Sequence, residues 1–513
     1  MSSKQIKKVV KKNQKVVFFG CGSVGKCCIH YFKKFFKCEY NQLYIVDKDP
    51  KAFRFPTVEE AINKGVNKIM FEVTKSNIKT FFNDFLKLKK YDIVIDLTTN
   101  TETYNVYKIC RILNLLYINT SIEEEAAHSR ENACPTNDGI FLQHVNLRVI
   151  ADKTRSDNLK EVTTLIEFGM NPGLISVFVK SGILDIAKMV LKHQTKLGQK
   201  YVNKELLNYY NKKNHKKLAK ILKIRAIHCS EIDTQIPLNL PKEKFFNTWS
   251  CVGLITEGVE PAEIQIGTHE KILPFDEDNV NQVIPQLIVT KTPGKDIKFK
   301  SLVPSHIENG RVKFTNIVGR CVHHGEGISL NRYIGNFDYS PTMHYVYQLN
   351  PLTEKMMNDY SSNELLDISE DKNQWKVLNM YDNNIRGYDN VGALFIMEEN
   401  PITNDASSPY CFWTGSILNN EYTRNVLKDD YFGPTVIQVM AGVLAGVSWM
   451  LGNKHKGLVF GEDLDDDFIL KMVKKYLGKF YSGPVSGVSL SGTTLEELIV
   501  EGADQTRTLV DDL

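Results

Sequence analysis

A doubly wound parallel α/β sheet followed by a second α+β domain is the fold this 513-residue chain predicts. Three observations predict it. A short apolar run at 15–19 (KVVFF) passes directly into Gly20-Cys-Gly22-Ser-Val-Gly25 and then into an amphipathic helix, CCIHYFKKFF. Strand-like and helix-like segments then alternate to about residue 170. Beyond about residue 184 the alternation gives way to a lysine-rich helical stretch, and then to strand-like segments at irregular spacing. The first pattern is that of βαβ units, the second that of a mixed domain.

Taken in order, Gly20 permits a tight turn, Gly22 lets backbone approach a pyrophosphate, and Gly25 lets the helix press on the strand, with Ser23 and Val24 between them at the positive helix end. The second strand, LYIVD, ends at Asp47, about twenty residues beyond the last glycine, where an acid hydrogen-bonds an adenosine ribose. KIMFEV, a helix near 78–90, the strand DIVIDL, a helix over 103–114 and LYIN continue the alternation of a Rossmann-type domain. Asp47 favours NAD, and the adjacent Lys48 leaves NADP open. In such sheets the ligand lies beyond the carboxyl ends of the strands. This makes Thr98 and Asn100 after DIVIDL, and Thr120, Ile122 and Glu123 after LYIN, candidate cofactor contacts. Asn171, in Asn171-Pro172-Gly173 after TTLIEFGM, either bonds the nicotinamide carboxamide or is a turn residue ahead of a proline that opens the next helix.

The expected domains are 1–170 for the dinucleotide and 171–430 for substrate, with 453–513 of unassigned packing. Residues 184–225 predict a solvated helical layer, and strand-like segments recur at 249–256, 262–266, 287–291 and 312–318. The longest apolar stretch, 436–451 (VIQVMAGVLAGVSWML), falls short of the roughly 20 residues a bilayer span needs. Its Gly442, Ala445 and Gly446 suit a helix near 434–452 that returns to pack on the first domain.

A 42% apolar and 24% charged composition is that of a soluble globular protein. The basic start leads straight into a strand, so a secretory leader, a membrane role and nucleic-acid binding are not expected. Ten cysteines without a CxxC pair predict reduced, mostly buried thiols in a cytoplasmic protein.

The most telling block is 245–271, FFNTWSCVGLITEGVEPAEIQIGTHEK. It combines Trp249, Glu257, Glu260, Glu263, Glu270 and His269 with one lysine, in a chain of net charge +4. Carboxylates beside an indole suit an organic cation, held by charge pairing at its ends and cation–π attraction along its body. The alternative is a solvated strand pair carrying surface acids. Further on, GRCVHHGEGISL offers His323, His324 and Glu326, without regular metal-ligand spacing.

These residues resemble the bacterial-type homospermidine synthases of the saccharopine-dehydrogenase-like group. The resemblance runs from about 15 to 485. It is carried by the GxGSxG start, NPG-L-x-S-x-FVK, E-x-DTQ at 231–235, NTWS…EG-x-x-PAE-x-x-x-GTHEK, HxExIS at 324–329, PT-x-HY-x-Y at 341–347 and QV-x-x-x-VLAG-x-x-W at 438–449. The chain departs from the family at Asn100, where an aspartate is typical, and after Ile122, where Glu-Glu-Glu replaces Glu-Pro-Trp.

The resemblance implies a homodimer that joins two putrescines, or putrescine and a close diamine, with NAD recycled within each turnover; the absence of regular ligand spacing predicts no metal. A bound amine would lose its proton and give a hydride to NAD, the second amine would displace ammonia from the resulting imine, and the same hydride would return. Trp249 would face the cationic carbon–nitrogen unit, and Glu257 and Glu326 would grip the amine nearest the nicotinamide. Glu231 would hold a distant ammonium near the entrance, His324 would orient a glutamate or shuttle the proton, and Glu123 would sit beside the nicotinamide. Glu260, Glu263, His269 and Glu270 are expected to be structural. A saccharopine-type amino-acid oxidoreductase, which needs convergent arginines for substrate carboxylates, and a catalytically silent NAD- or polyamine-binding protein are the competing readings.

Overall fold

The computed structural model describes residues 8–99, 101–123, 139–153, 161–239, 244–275, 280–284, 286–322 and 324–500. The chain divides into two compact units: 1–134, 142–174 and 435–476 form the first, and 135–141, 175–434 and 477–513 the second.

The first unit is built on a seven-stranded parallel sheet in the order Leu458–Val459, Thr164–Leu165, Leu116–Asn119, Ile93–Asp96, Val16–Phe19, Leu43–Asp47, Asn67–Met70. The central strands Val16–Phe19 and Ile93–Asp96 are buried on both faces, which is why they read as continuous apolar runs. Two expected elements are shorter than anticipated. The KIMFEV strand ends at Met70, and the helix near 78–90 reduces to Ile78–Thr80 followed by one π turn, Phe81–Phe85. Phe71, Phe81 and Phe85 stack there, with Phe71–Phe81 centroids 4.4 Å apart and rings nearly coplanar.

The helix Pro434–Gly452 is long and apolar enough to cross a membrane, but 83% of its most apolar 18-residue stretch is buried inside the fold. A Cβ on its Gly442 would collide with the Gly169 carbonyl, so the small residues of VLAG serve close backbone contact in this unit.

The second unit carries a ten-stranded mixed sheet. At its centre Thr342–Gln348 runs parallel to Ile224–Asp233, which pairs antiparallel with Tyr388–Met397. The hairpin Lys298–Glu308/Arg311–Arg320 and the strands Tyr410–Asn419 and Lys479–Pro484 extend it. The lysine-rich stretch is helical as expected, in the pieces Leu174–Leu197, Lys204–Asn211 and His215–Ile221.

One expectation is overturned. Residues 249–256 are not a strand: Cys251–Val259 is an α-helix. Ser250 caps it by accepting the Gly253 N–H at 2.9 Å, and Cys251, Leu254, Ile255 and Gly258 bury one helical face. The same change disposes of the solvated strand pair. Residues 490–499 of the segment beyond 486 also find their place: Leu490, Leu495, Leu498 and Ile499 join the core formed by Phe299, Ile297 and Trp413.

Candidate active site

In the first unit the glycine loop forms an open cradle. Gly20 adopts φ +97°, and a Cβ there would sit 2.6 Å from the Leu97 carbonyl oxygen. A Cβ on Gly25 would strike the Gly20 carbonyl. Gly22, by contrast, has nothing within 4 Å of where a Cβ would be, and the helix Ser23–Phe35 begins next to it. That open backbone at a positive helix end fits a dinucleotide pyrophosphate. Asp47 buttresses the loop, its carboxylate accepting the Cys21 N–H at 2.7 Å and the Asp49 N–H at 2.8 Å. Lys48 is drawn off to Glu72 at 2.8 Å.

Of the strand-end residues, Thr98 donates its hydroxyl to Asp96 at 2.7 Å. Burial raises the Asp96 carboxyl to about 6, against the pull of Thr98 and Tyr117. Thr120 and Ile122 are half-buried, and Glu123 receives the Ser121 hydroxyl at 2.6 Å. Asn171 lies in the turn closed by Gly169 N–H donating to the Pro172 carbonyl at 2.8 Å. Asn100 lies outside the described residues.

In the second unit the parallel register decides what meets. Cys229, Glu231 and Asp233 alternate on one face of their strand, opposite Tyr345 and Tyr347 on one side and Asp389 on the other. Tyr345 donates its hydroxyl to Glu231, and Asp389 lies beside that carboxyl group. Burial pushes the Glu231 carboxyl up to about 7, with Asp233 adding to the rise and the Tyr345 bond and His324 opposing it. Asp233, raised by burial to about 6, accepts hydrogen bonds from Gln235 and from the Thr248 hydroxyl at 2.9 Å.

His324 forms the next layer, its ring 4.2 Å from that of Tyr345. It stands 3.7 Å from Glu257 through Nε2 and 3.7 Å from Glu326 through Nδ1. The capped helix Cys251–Val259 delivers Glu257, and the first turn of Gly325–Ile334 delivers Glu326. Trp249 is half-buried just before the Ser250 cap, against Gly253 and within reach of Tyr347. A small cavity opens against His324, Glu326, Tyr345 and Glu263, and neither lysine nor arginine is among its lining residues.

Glu231, Glu257, His324, Glu326 and Trp249 therefore converge, while Glu123 belongs to the first unit. Glu231 is 3% exposed, so it does not stand at an entrance as anticipated. Of the residues set aside as structural, Glu270 takes the Thr342 hydroxyl and the Leu495 N–H at 3.1 Å, and His269 faces the Thr493 carbonyl at 3.2 Å, whereas Glu263 accepts the Ile140 and Phe141 N–H groups and also lines the cavity. No metal-holding group of three His, Cys, Asp or Glu exists among the described residues, of which His323 is not one.

Sequence reasoning missed Tyr345, Tyr347, Asp233 and Asp389. The tyrosines and Asp233 lie inside quoted motifs, and the period-two spacing of 229/231/233 and 345/347 was the available signal. Asp389 had none.

Residues 16–140 match the family described as saccharopine dehydrogenase NADP binding domain, and residues 169–481 match the saccharopine dehydrogenase C-terminal domain. The chain is 27% identical over 495 residues to the homospermidine synthase of Mesorhizobium japonicum, covering 94% of this chain and 91% of that one. It is 26% identical over 488 residues to the homospermidine synthase of Blastochloris viridis, covering 94% and 92%. The solved homospermidine synthase of Legionella pneumophila in complex with NAD superimposes with a TM-score of 0.73 at 24% identity, over 96% of this chain and 99% of that one, a likeness of fold.

Proposed function

The chain belongs to the saccharopine dehydrogenase family, and from that premise we propose that it is an NAD-dependent aminoalkyl transferase joining two putrescines into homospermidine with release of ammonia. The observation that carries this reading is His324 flanked by Glu257 and Glu326, with Glu231 joined to it through Tyr345 and Trp249 reaching Tyr347, in a unit whose cavity is lined by neither lysine nor arginine. Such a site recognises a diammonium chain.

NAD, when bound, supplies a hydride acceptor that returns the same hydride later. Gly20, Gly22, Ser23, Val24 and Gly25 would hold its pyrophosphate and Asp47 its ribose, with Thr98, Thr120, Ile122 and Asn171 toward the nicotinamide end. The remaining work falls to side chains. The amine must be neutral before its carbon–hydrogen bond breaks, and His324, between Glu257 and Glu326, is placed to take that proton. Trp249 offers its face to the iminium carbon, a contact worth ~0.5–2 kcal/mol depending on desolvation. Glu231, steadied by Tyr345, fixes the far ammonium. A second amine would add to the imine carbon and ammonia would leave with the proton it needs, giving a new imine whose reduction yields the secondary amine. Two diamines become one triamine plus ammonia, with no net oxidation.

The amino-acid oxidoreductase reading loses its arginines. Arg320 is 1% exposed and fully engaged, with the Glu354 carboxylate at 2.9 Å, the Asn358 amide oxygen at 2.9 Å and the Lys295 carbonyl. Arg332 is exposed.

The test is to incubate the purified protein with NAD⁺ and putrescine and analyse by mass spectrometry and absorbance. Homospermidine and ammonia without NADH accumulation support the proposal. NADH rising in step with substrate loss refutes it, and cofactor binding without product identifies the silent alternative. Association into a homodimer is part of the proposal and is read by light scattering.

A further inference from the structure

We infer that Asn119, backed by the His144–Glu167 pair, is a positioning residue that holds both loops at the nicotinamide end of the cofactor site. This rests on the reading that Glu123 and Asn171 face that ring. Asn119 ends the strand Leu116–Asn119 and is 2% exposed. Its side chain spans two loops. Nδ2–H donates to the Ser121 carbonyl at 2.7 Å, and Oδ1 accepts the Glu167 N–H at 2.7 Å. The Asn119 main-chain carbonyl takes the Phe168 N–H at 2.9 Å.

From the first contact the order passes to Glu123. Ser121 donates its hydroxyl to the Glu123 carboxylate at 2.6 Å, and the Glu123 N–H is bound to the Thr103 hydroxyl at 2.8 Å. From the second contact it passes toward Asn171. Glu167 is held at φ +52°, a conformation that L side chains rarely adopt and that surrounding contacts must enforce. The enforcement is visible: Asn119 holds its N–H, and His144 Nε2 meets its carboxylate at 2.7 Å with the two side chains 3% and 4% exposed. That reversal aims the chain into Gly169, which closes the turn bearing Asn171 and lies beneath Gly442. One buried amide thus sets the separation of the Glu123 and Asn171 loops, so both lose their aim when it is removed.

The inference is tested by titrating Asn119→Ala and Asn119→Asp with NADH and with ADP-ribose, which lacks the nicotinamide, using fluorescence and calorimetry. Asn119→Asp keeps the acceptor for Glu167 but sets a carboxylate oxygen against the Ser121 carbonyl. NADH affinity is expected to fall about tenfold in both variants, with ADP-ribose affinity unchanged within about twofold. Glu167→Gln, which still accepts from His144, is expected to behave nearly as the parent, whereas Glu167→Ala follows the Asn119 variants. Equal losses for both ligands, or none for either, would overturn the assignment. These titrations need no turnover, so a parent protein that makes no triamine would defeat the proposed reaction and leave this result standing.

Discussion

Replacing Glu231 with glutamine should make the protein more stable above neutral pH, although the residue is central to the proposed site. Its carboxyl rises from 4.5 to about 7 in the folded protein, chiefly because burial removes water from the charged form. At ~1.36 kcal/mol per unit, ionised Glu231 costs roughly 3 kcal/mol of folded stability. The sign follows from linkage. Below about pH 4 the group binds its proton in both states and costs nothing. Between about 4.5 and 7 the folded state holds a proton that the unfolded chain has released, so stability declines as pH rises. Above about 7 both states are ionised and the whole penalty is present.

Glu231→Gln escapes this decline. The assay is urea unfolding of parent and variant, followed by circular dichroism at pH 4.5, 6, 7 and 8.5. The variant's advantage should grow with pH toward roughly 3 kcal/mol. Putrescine, whose ammonium neutralises the carboxylate, should close the gap at pH 8.5 by stabilising the parent more. A difference between the two proteins that stays constant across this range would refute the reasoning, as would equal stabilisation of both by the diamine.

Other expectations concern neighbouring groups. Trp249→Ala should lower turnover about tenfold or more while NADH still binds, and Trp249→Phe should keep part of the activity; steady-state kinetics beside cofactor titration reads both, and equal rates in all three proteins would remove the indole from the mechanism. Tyr345→Phe deletes a hydrogen bond that holds the Glu231 carboxyl down, so a kcat profile limited by ionised Glu231 should move its acid limb to higher pH. Arg320→Met leaves the buried Lys295 carbonyl without its donor and Glu354 with Lys298 alone, and should destabilise by about 2 kcal/mol, seen as a lower urea midpoint with an unchanged KM for diamine in the remaining folded protein.

The parts legible in the chain are those whose physics is local. Gly20, Gly22 and Gly25 stand between an apolar strand and a helix, so turn, cradle and packing contact follow from three positions. Trp249, Glu257, His324 and Glu326 were legible as chemistry, because an indole and acids in a cation-poor block invite a cation. Their convergence, however, depends on the parallel pairing of Thr342–Gln348 with Ile224–Asp233, which no local pattern specifies. That pairing brings Tyr345 to Glu231 and leads to Asp389 one strand further on. The helix Cys251–Val259 was misread because a short apolar run suits either element; its Ser250 cap was the overlooked sign. Asn119 looked like the end of a strand, and its two-loop span exists only once residues 119 and 167 meet.

The central claim is that a diamine is oxidised and reduced again by one hydride that never leaves. Putrescine bearing deuterium on both amine-bearing carbons tests it most directly, with unlabelled NAD⁺, an added excess of unlabelled NADH, and product read by mass spectrometry. The account predicts triamine that keeps every deuterium of its two parents, with none appearing in the free cofactor pool. Product missing one deuterium, with labelled NADH in solution, would contradict it.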